Sequence, residues 1–353
     1  MACKGFDEQF VRDDKELERL EKEFVCVRLV QMKGVDLQVF QFDYDQTWAA
    51  FFMNADGTIY GRYGTRAGNK EQATTHISLA SLKKALKRAL ELHRGYPANK
   101  AQLAGKLGPE VEFRNAEQIP GAPQKERHCI HCHNVWEDVR RVKYREKRLS
   151  AADLWVYPLP ENIGLKMDVD DGLRVKAVTA NSAAARAGLR AGDELVLLNG
   201  QRLISQADIQ WVLHNALTDA RLAVTLKRGT RTLQKTIALS GTWKETDLSW
   251  RETSWSLRPG IWTLPLSNAE KQQRGLPADA LALRLKWTFG KSELAKSSGL
   301  REGDVIVAVD GKSAVMNESQ FLAYVRTAHP PTDKMRLTVL RGSERQEILL
   351  SLE

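Results

Sequence analysis

The chain has 353 residues, 42% apolar, 27% charged and 7% aromatic, with 24 Gly and 11 Pro; that length suggests about two to four compact units and excludes a disordered or fibrous protein. No run of about 18 apolar residues occurs, so no membrane span is expected, and the opening Met1-Ala-Cys-Lys has neither the basic nor the apolar region of a secretion signal. The net charge of +9 comes from 53 basic and 44 acidic residues spread through the chain, with small clusters such as Arg140-Arg141-Val142-Lys143; it reads as a solvated basic surface, with no nucleic-acid partner expected. Four cysteines, Cys3, Cys26, Cys129 and Cys132, are too few for a disulfide framework.

Residues 6–95 begin with an amphipathic helical stretch carrying Phe6, Phe10, Leu17, Leu20 and Phe24 on one face. An apolar run over 24–30 predicts a strand, with Cys26 a buried structural thiol. A further short element is expected over 37–42. A hairpin follows over 50–53 and 58–62 around Asn54-Ala55-Asp56-Gly57, and a helix over 79–93 aligns Leu79, Leu82, Leu86 and Leu90. This order, with Cys3-Lys4 at the head of the first helix, resembles a thioredoxin-like α/β domain entered late. The resemblance implies a C-x-x-C-K motif of which Cys3 is the second, catalytic cysteine. It also implies a missing first strand, so that the native chain would continue upstream through a redox residue and a secretion signal. Some relatives of this architecture are selenoproteins, and a selenocysteine codon read as a stop would give such a start. Thr47-Trp48-Ala49 stands where the family carries its cis-proline.

After the loop Ile119-Pro120-Gly121-Ala122-Pro123 comes Arg127-His128-Cys129-Ile130-His131-Cys132-His133-Asn134, and then a predicted helix over 135–147. Cys129, Cys132 and His133 form the C-x-x-C-H attachment sequence of haem c. Thiols three positions apart reach the two vinyl groups of one porphyrin, and His133 is the expected iron ligand. Met53, His76, His93, His131 and Met167 are candidates for the second axial position, and Trp136, Trp155 and Tyr157 could pack nearby. Zinc is a second reading of this histidine- and cysteine-rich stretch, although a structural zinc site normally has another ligand pair. A dithiol–disulfide couple at a helix start is a third.

The clearest internal feature is a repeat. Ala-Gly-Leu-Arg-Ala-Gly-Asp-Glu-Leu-Val-Leu-Leu-Asn-Gly (187–200) returns as Ser-Gly-Leu-Arg-Glu-Gly-Asp-Val-Ile-Val-Ala-Val-Asp-Gly (298–311), 111 positions later. That period suits two copies of a domain, not a solenoid. Each copy reads as a small-residue turn, a Gly-Asp turn, a strand (194–198; 305–309), a tight Asn-Gly or Asp-Gly turn and a helix (206–215; 318–327). A strand pair closes each copy (222–227 with 232–239; 336–340 with 347–352). The pattern resembles PDZ domains of the HtrA-like type. The resemblance implies a small barrel that takes polypeptide termini or partner proteins as an added strand, an apolar-Gly-apolar loop receiving the carboxylate. In the first copy Asn162-Ile163-Gly164-Leu165 fits that loop, 165–169 the edge strand, and Ile209, Val212 and Leu213 the facing helix; alternatively these are only core residues. In the second copy Ile261-Trp262-Thr263-Leu264 or Trp287-Thr288-Phe289-Gly290 would have to stand in. No Gly-x-Ser-x-Gly nucleophile precedes the repeats, so an HtrA-like protease is not expected. Trp243, Trp250, Trp255 and Trp262 lie in a segment read as a connector docked on the barrels, with a ligand-stacking platform as the lesser alternative.

The expected fold is therefore multidomain α+β: a thioredoxin-like domain (1–95), a linker with the C-x-x-C-H segment and a helix (96–154), two PDZ-type barrels (155–240 and 262–353), and a tryptophan-rich connector (241–261). The expected function is an extracytoplasmic, periplasmic redox or sensing protein, a haem-dependent or thiol–disulfide oxidoreductase with an unknown redox partner, whose first PDZ copy selects a polypeptide. The alternative is a non-enzymatic scaffold in which Cys129 and Cys132 form a structural disulfide or zinc clip.

Overall fold

The computed structural model describes residues 14–46, 48–64, 66, 76–122, 129–251, 254–289, 297–312 and 315–352. Two compact units emerge, one of residues 1–135 and 155–246, the other of 136–154 and 247–353.

In the first unit, helix α1 (Lys15–Glu21) is capped by Asp14, whose carboxylate accepts from the N–H groups of Glu16 and Leu17. The hairpin β1 (Ala50–Met53) and β2 (Ile59–Tyr63) closes around the Asn-Ala-Asp-Gly turn, with Asn54 N–H donating to the Thr58 carbonyl. Helix α2 (Leu79–Arg94) starts at a Ser78–Ser81 capping box and buries Leu82, Ala85, Leu86 and Ala89. These side chains meet Leu17, Phe52, Tyr60, Tyr63 and Leu103 in one core. Ile204, from the first repeat, is part of that same core.

Two expectations for this region are corrected. Residues 24–30 form no strand: Val25 is 94% exposed and Val30 73%. Cys26 is likewise an exposed free thiol. β-branched residues favour strands only where a neighbouring strand or a packed face receives them, and among the described residues no strand pairs with this stretch, only Phe24 packing on Phe52. The short element expected over 37–42 is a turn at residues 37–39, with Leu37 buried.

Helix α3 (Cys132–Arg145) begins in the first unit and continues in the second. The first repeat follows, with β3 (Leu165–Met167), β4 (Val175–Val178), β5 (Glu194–Leu198), β6 (Gln201–Arg202), helix α4 (Gln206–Asn215), β7 (Ala220–Arg228) and β8 (Arg231–Leu239). β3 pairs with β4, and β5 to β8 form a sheet in the order β6-β5-β7-β8. Hydrogen bonds from Val175 to Asp193 and from Gly192 to Val175 tie the two sheets together.

In the second unit, β9 (Ile261–Pro265), β10 (Leu283–Thr288), β11 (Val305–Val309), β12 (Lys334–Arg341) and β13 (Glu344–Ser351) form one antiparallel sheet in the order β13-β12-β11-β10-β9. Helix α5 (Glu318–Ala328) lies between β11 and β12 in sequence and buries Phe321, Leu322 and Val325. Trp262 is part of β9 and faces Trp287 across the ladder. No helix among the described residues is long and apolar enough to cross a membrane.

The two repeats share an ion-pair lock that follows from the Gly-Asp turn. Asp193 accepts from Arg228 Nε and Nη2 at 2.7 and 2.8 Å and from the Arg190 N–H at 2.9 Å, while Arg228 Nη2 also donates to the Gly188 carbonyl at 2.9 Å. Asp304 repeats this with Arg341 at 2.8 and 2.7 Å, the Arg301 N–H at 2.9 Å, and Arg341 Nη2 on the Gly299 carbonyl at 2.8 Å. Burial alone would raise the carboxyls of Asp193 and Asp304, but the arginine and backbone hydrogen bonds outweigh it and hold both below the ordinary value. Such a lowered group contributes stability that is complete above the unfolded-state value, about 3.9, and is lost as pH falls through the folded-state value. Replacing Asp193 or Asp304 by Ala should cost about 3 kcal/mol, since a charged acceptor with several partners is lost. Chemical denaturation of each variant at neutral pH checks this, and Asp→Asn at either position should flatten the acid limb of the stability curve.

Candidate functional site

The segment leading into β3 sets the geometry of the first repeat. A short turn, Pro160–Ile163, ends at Gly164 with φ of +87°, a backbone conformation that an L side chain rarely adopts. A Cβ there would also meet Ser182 at 2.1 Å. The Gly164 carbonyl accepts from the Thr179 N–H at 2.9 Å, which starts the β3–β4 ladder. β3 pairs with β4 alone among the described strands, so its other edge has no strand partner.

Helix α4 lies beside that edge, and its faces divide by chemistry. Ile209, Val212 and Leu213 form one apolar face, at most 2% exposed, as Ile163 and Leu165 are at 1%. All five are closed to solvent in this structure. The face turned to residues 157–169 carries Gln206, Gln210 and His214 at helical spacing. Gln210 Nε2 reaches the Tyr157 carbonyl at 3.4 Å, and the Tyr157 and His214 rings stack at 4.1 Å. Burial, with Lys244 and Arg62 adding to it, pushes His214 down to about 3, so the imidazole is neutral. Lys244 Nζ donates to the His214 and Ala216 carbonyls, and Asn162 Nδ2 donates to the Trp243 and Glu245 carbonyls at 2.8 and 2.6 Å. Residues 243–245 thus close off the end of the Pro160–Gly164 turn. Sequence reasoning looked for an apolar groove lining and passed over Gln206, Gln210 and His214. Their i, i+4, i+8 spacing beside an apolar face was the available signal.

The outer face of α4 holds the N-terminal elements through a dry polar node. Lys106 Nζ and Asp208 Oδ2 are 2.8 Å apart, both side chains fully buried. Asp208 also accepts from the N–H groups of Arg62 at 3.2 Å and Ile204 at 2.9 Å. The Arg62 guanidinium lies 3.7 Å from the Trp211 ring and donates to the Lys106 and Gln41 carbonyls at 2.7 and 2.8 Å. Burial pulls both Lys106 and Arg62 below their ordinary values.

The second repeat shows a related arrangement. Gly260, with φ of +73°, precedes β9, and its carbonyl accepts from the Phe289 N–H at 2.9 Å, as Gly164 accepts from Thr179. The turn is therefore Arg258-Pro259-Gly260-Ile261, three residues before the first of the two segments suggested by sequence, Ile261-Trp262-Thr263-Leu264. Glu318 on α5 accepts from Arg258 at 3.0 Å and from Thr263 of β9 at 3.0 Å, so a buried ion pair bridges helix and edge strand. Trp262 lies over Arg258 at 3.9 Å and stacks on the half-exposed Trp287 at 5.3 Å; Trp255 adds a tilted contact with Trp262 at 4.8 Å.

At the C-x-x-C-H segment, Cys132 is the first residue of α3, half-buried, while Cys129 is exposed; neither is in a disulfide. Ile130 between them is fully buried, its carbonyl accepting from the Met32 N–H at 2.8 Å. His133 is half-buried and stacks on His131 at 5.7 Å. Burial first, then the charge of a Cys132 thiolate, raises the Tyr44 hydroxyl. Among the described residues no three His, Cys, Asp or Glu side chains converge as metal ligands. Of the axial candidates, Met167 is buried in β3, Met53 is 36% exposed, His93 Nδ1 bonds the Tyr60 hydroxyl at 2.8 Å, and His76 lies 3.9 Å from Glu161. Cys3, His128 and Thr47 lie outside the described residues.

Comparison with known proteins bears on the first repeat. Residues 162–239 match the PDZ domain family. The chain carries a PDZ domain. Among solved structures it is similar to the HtrA3 PDZ domain bound to a phage-derived ligand, FGRWV, with 29% identity over 23% of this chain and 75% of that one, TM-score 0.18. It is also similar to the HtrA-type protease AlgW with a decapeptide, in one structure at 14% identity over 51% of this chain and 53% of that one, TM-score 0.26. A second AlgW structure gives 15% over 37% and 41%, TM-score 0.23. No curated protein sequence matches the chain.

The exposures imply an order of thiol reactivity in the native protein. Cys26 and Cys129 should alkylate promptly and Cys132 more slowly, as peptide mapping after short iodoacetamide pulses would show; equal protection of all three would contradict the placement of 24–30 and of the α3 start.

Proposed function

We propose that this protein binds polypeptides through its PDZ domain, an extended segment or chain terminus adding to β3 between that strand and α4. The observation that carries this reading is the unpaired edge of β3, directly after the left-handed Gly164 and opposite the Gln206–Gln210–His214 face of a helix. Main-chain hydrogen bonds to such an edge supply affinity, and the helix face selects side chains. The second repeat has the same Gly-to-strand entry and the same edge strand beside a helix, which supports its being a second PDZ-type barrel.

Two thiols around the start of α3, with an imidazole on its first turn, favour a second chemistry for the same chain. The donor set suits haem c, which Cys129 and Cys132 would hold covalently and His133 would ligate. Bound there, haem would supply one-electron chemistry, and its attachment would place the protein in the periplasm or another extracytoplasmic compartment.

Screening fluorescent peptides with free and amidated C-termini against the protein should find terminal ligands whose binding is lost in Ala207→Trp, which fills the groove beside Val169. Ligands unaffected by that substitution would place recognition elsewhere. After export in a host that matures c-type cytochromes, the reduced-minus-oxidised spectrum should show haem bands that Cys129→Ala/Cys132→Ala abolishes. A bare spectrum would remove the haem reading and leave peptide binding untouched.

A further inference from the structure

The groove of the PDZ domain is not open to solvent; the amino-terminal elements of the same chain cover it. Tyr63, Gly64, His76, Ile77 and Ser81 line one small cavity with Val169, Gly172, Ser205, Gln206 and Ala207, so the cavity spans the end of the edge strand and the first turn of α4. Ser78 Oγ donates to the Val169 carbonyl at 3.2 Å, a main-chain acceptor just beyond β3. From α2, Arg88 donates to the Asp171 carboxylate at 2.6 Å and to the Asp171 and Ile204 carbonyls at 3.1 and 3.2 Å, and Lys84 reaches Asp171 at 3.0 Å. At the other end Tyr157, held at φ of +47°, fills the space against His214.

We propose that this is an autoinhibitory contact, in which the Ser78, Lys84 and Arg88 side chains at the α2 edge and an incoming polypeptide compete for the groove between β3 and α4. The proposal rests on the peptide-binding reading above. Two kinds of contact separate the parts. The Lys106–Asp208 pair and Ile204 are fully buried and anchor the amino-terminal elements to the outer side of α4. The contacts at the groove are less enclosed: the side chain of Lys84 is 44% exposed, Glu161 39% and Arg88 17%, although Asp171, the partner of Lys84 and Arg88, is only 8% exposed. The pairs of Lys84 and Glu161 contribute little individually at that exposure, and Arg88–Asp171 is the main hold, so beside the fully buried Lys106–Asp208 pair the cover is the more exposed attachment. A ligand that needs the uncovered state has its apparent affinity reduced by the fraction of molecules in that state.

Lys84→Ala/Arg88→Ala removes the cation partners of Asp171 and leaves the PDZ domain itself unchanged. The probe is a fluorescein-labelled peptide pool with random interior and free C-terminal Val, Leu, Ile or Phe, titrated against the full chain and the variant. A parallel hydrogen-exchange measurement follows the amides of 165–169, and thermal melts check that both proteins are folded. The expected result is about tenfold or more tighter binding by the variant, with faster exchange over 165–169. A charge swap, Arg88→Asp/Asp171→Arg, should return binding towards the wild-type value. Equal affinities in folded wild type and variant would overturn the autoinhibition and leave peptide capture standing. Binding by neither protein, with exchange faster in the variant, would overturn both, because the cover would then be a structural joint with nothing to compete against it.

Discussion

The arrangement around the groove depends on one buried charge pair. Lys106 and Asp208 meet at 2.8 Å with no solvent access to either side chain, which is costly unless the remaining hydrogen-bonding capacity is used. Asp208 uses it on the N–H groups of Arg62 and Ile204, the one from β2 and the other from the turn before α4. A single carboxylate therefore ties the Lys106 turn, the hairpin and the PDZ helix together. Gly61 shows how closely they approach, since a Cβ there would meet Ile204 at 2.4 Å. The apolar core is shared in the same way, with Ile204 packed among Leu82, Leu86 and Tyr60. Whatever the amino-terminal elements do, they do it on the PDZ helix.

Both repeats use the aspartate of the Gly-Asp turn as an internal cap and fasten the last sheet strands to it through an arginine. Asp193 with Arg228 and Asp304 with Arg341 have the same partners down to the carbonyls of Gly188 and Gly299. The motif that makes the repeat visible in sequence is thus the motif that fastens the last strands of each repeat. Below this shared lock the repeats diverge where recognition would occur. The helix positions beside the edge strand are Gln206, Gln210 and His214 in one, and Glu318, Leu322 and Arg326 in the other, where Glu318 is already committed to Arg258.

What the sequence made legible was the part governed by local rules. The strands at 194–198 and 305–309 are short apolar runs bounded by glycine turns, and both form over those residues. The helices at 206–215 and 318–328 start at Ser205 and Asn317 caps. The hairpin and α2 carried equally local signals. The run 24–30 looked no different from those strands, yet a strand is made by its partner, and none of the described strands pairs with it. The Arg258-Pro259-Gly260-Ile261 turn escaped notice because it lacks the apolar residue expected before glycine, although backbone geometry requires only the glycine. The groove face of α4 escaped for the opposite reason: its residues are polar, and the apolar Ile209, Val212 and Leu213 drew attention away from it. Burial of Lys106 and Asp208 lay beyond any local rule, since the pair joins positions a hundred residues apart.

Edge strands explain why covering and binding coincide. A strand with one free edge is open to pairing with any extended chain, including another copy of itself, and proteins guard such edges with charges, bulges or covering elements. Here the guard on β3 is made of side chains and a helix, with Ser78 on the Val169 carbonyl and Arg88 on Asp171, and no described strand takes the ladder positions themselves. In the second repeat an ion pair, Arg258 with Glu318, spans the corresponding gap and draws in Thr263 from the edge strand. A covering strand would satisfy the edge and remove it from use. Side-chain cover blocks casual pairing while leaving the main-chain groups of β3 for a ligand able to displace it, so protection and selectivity arise from the same contacts.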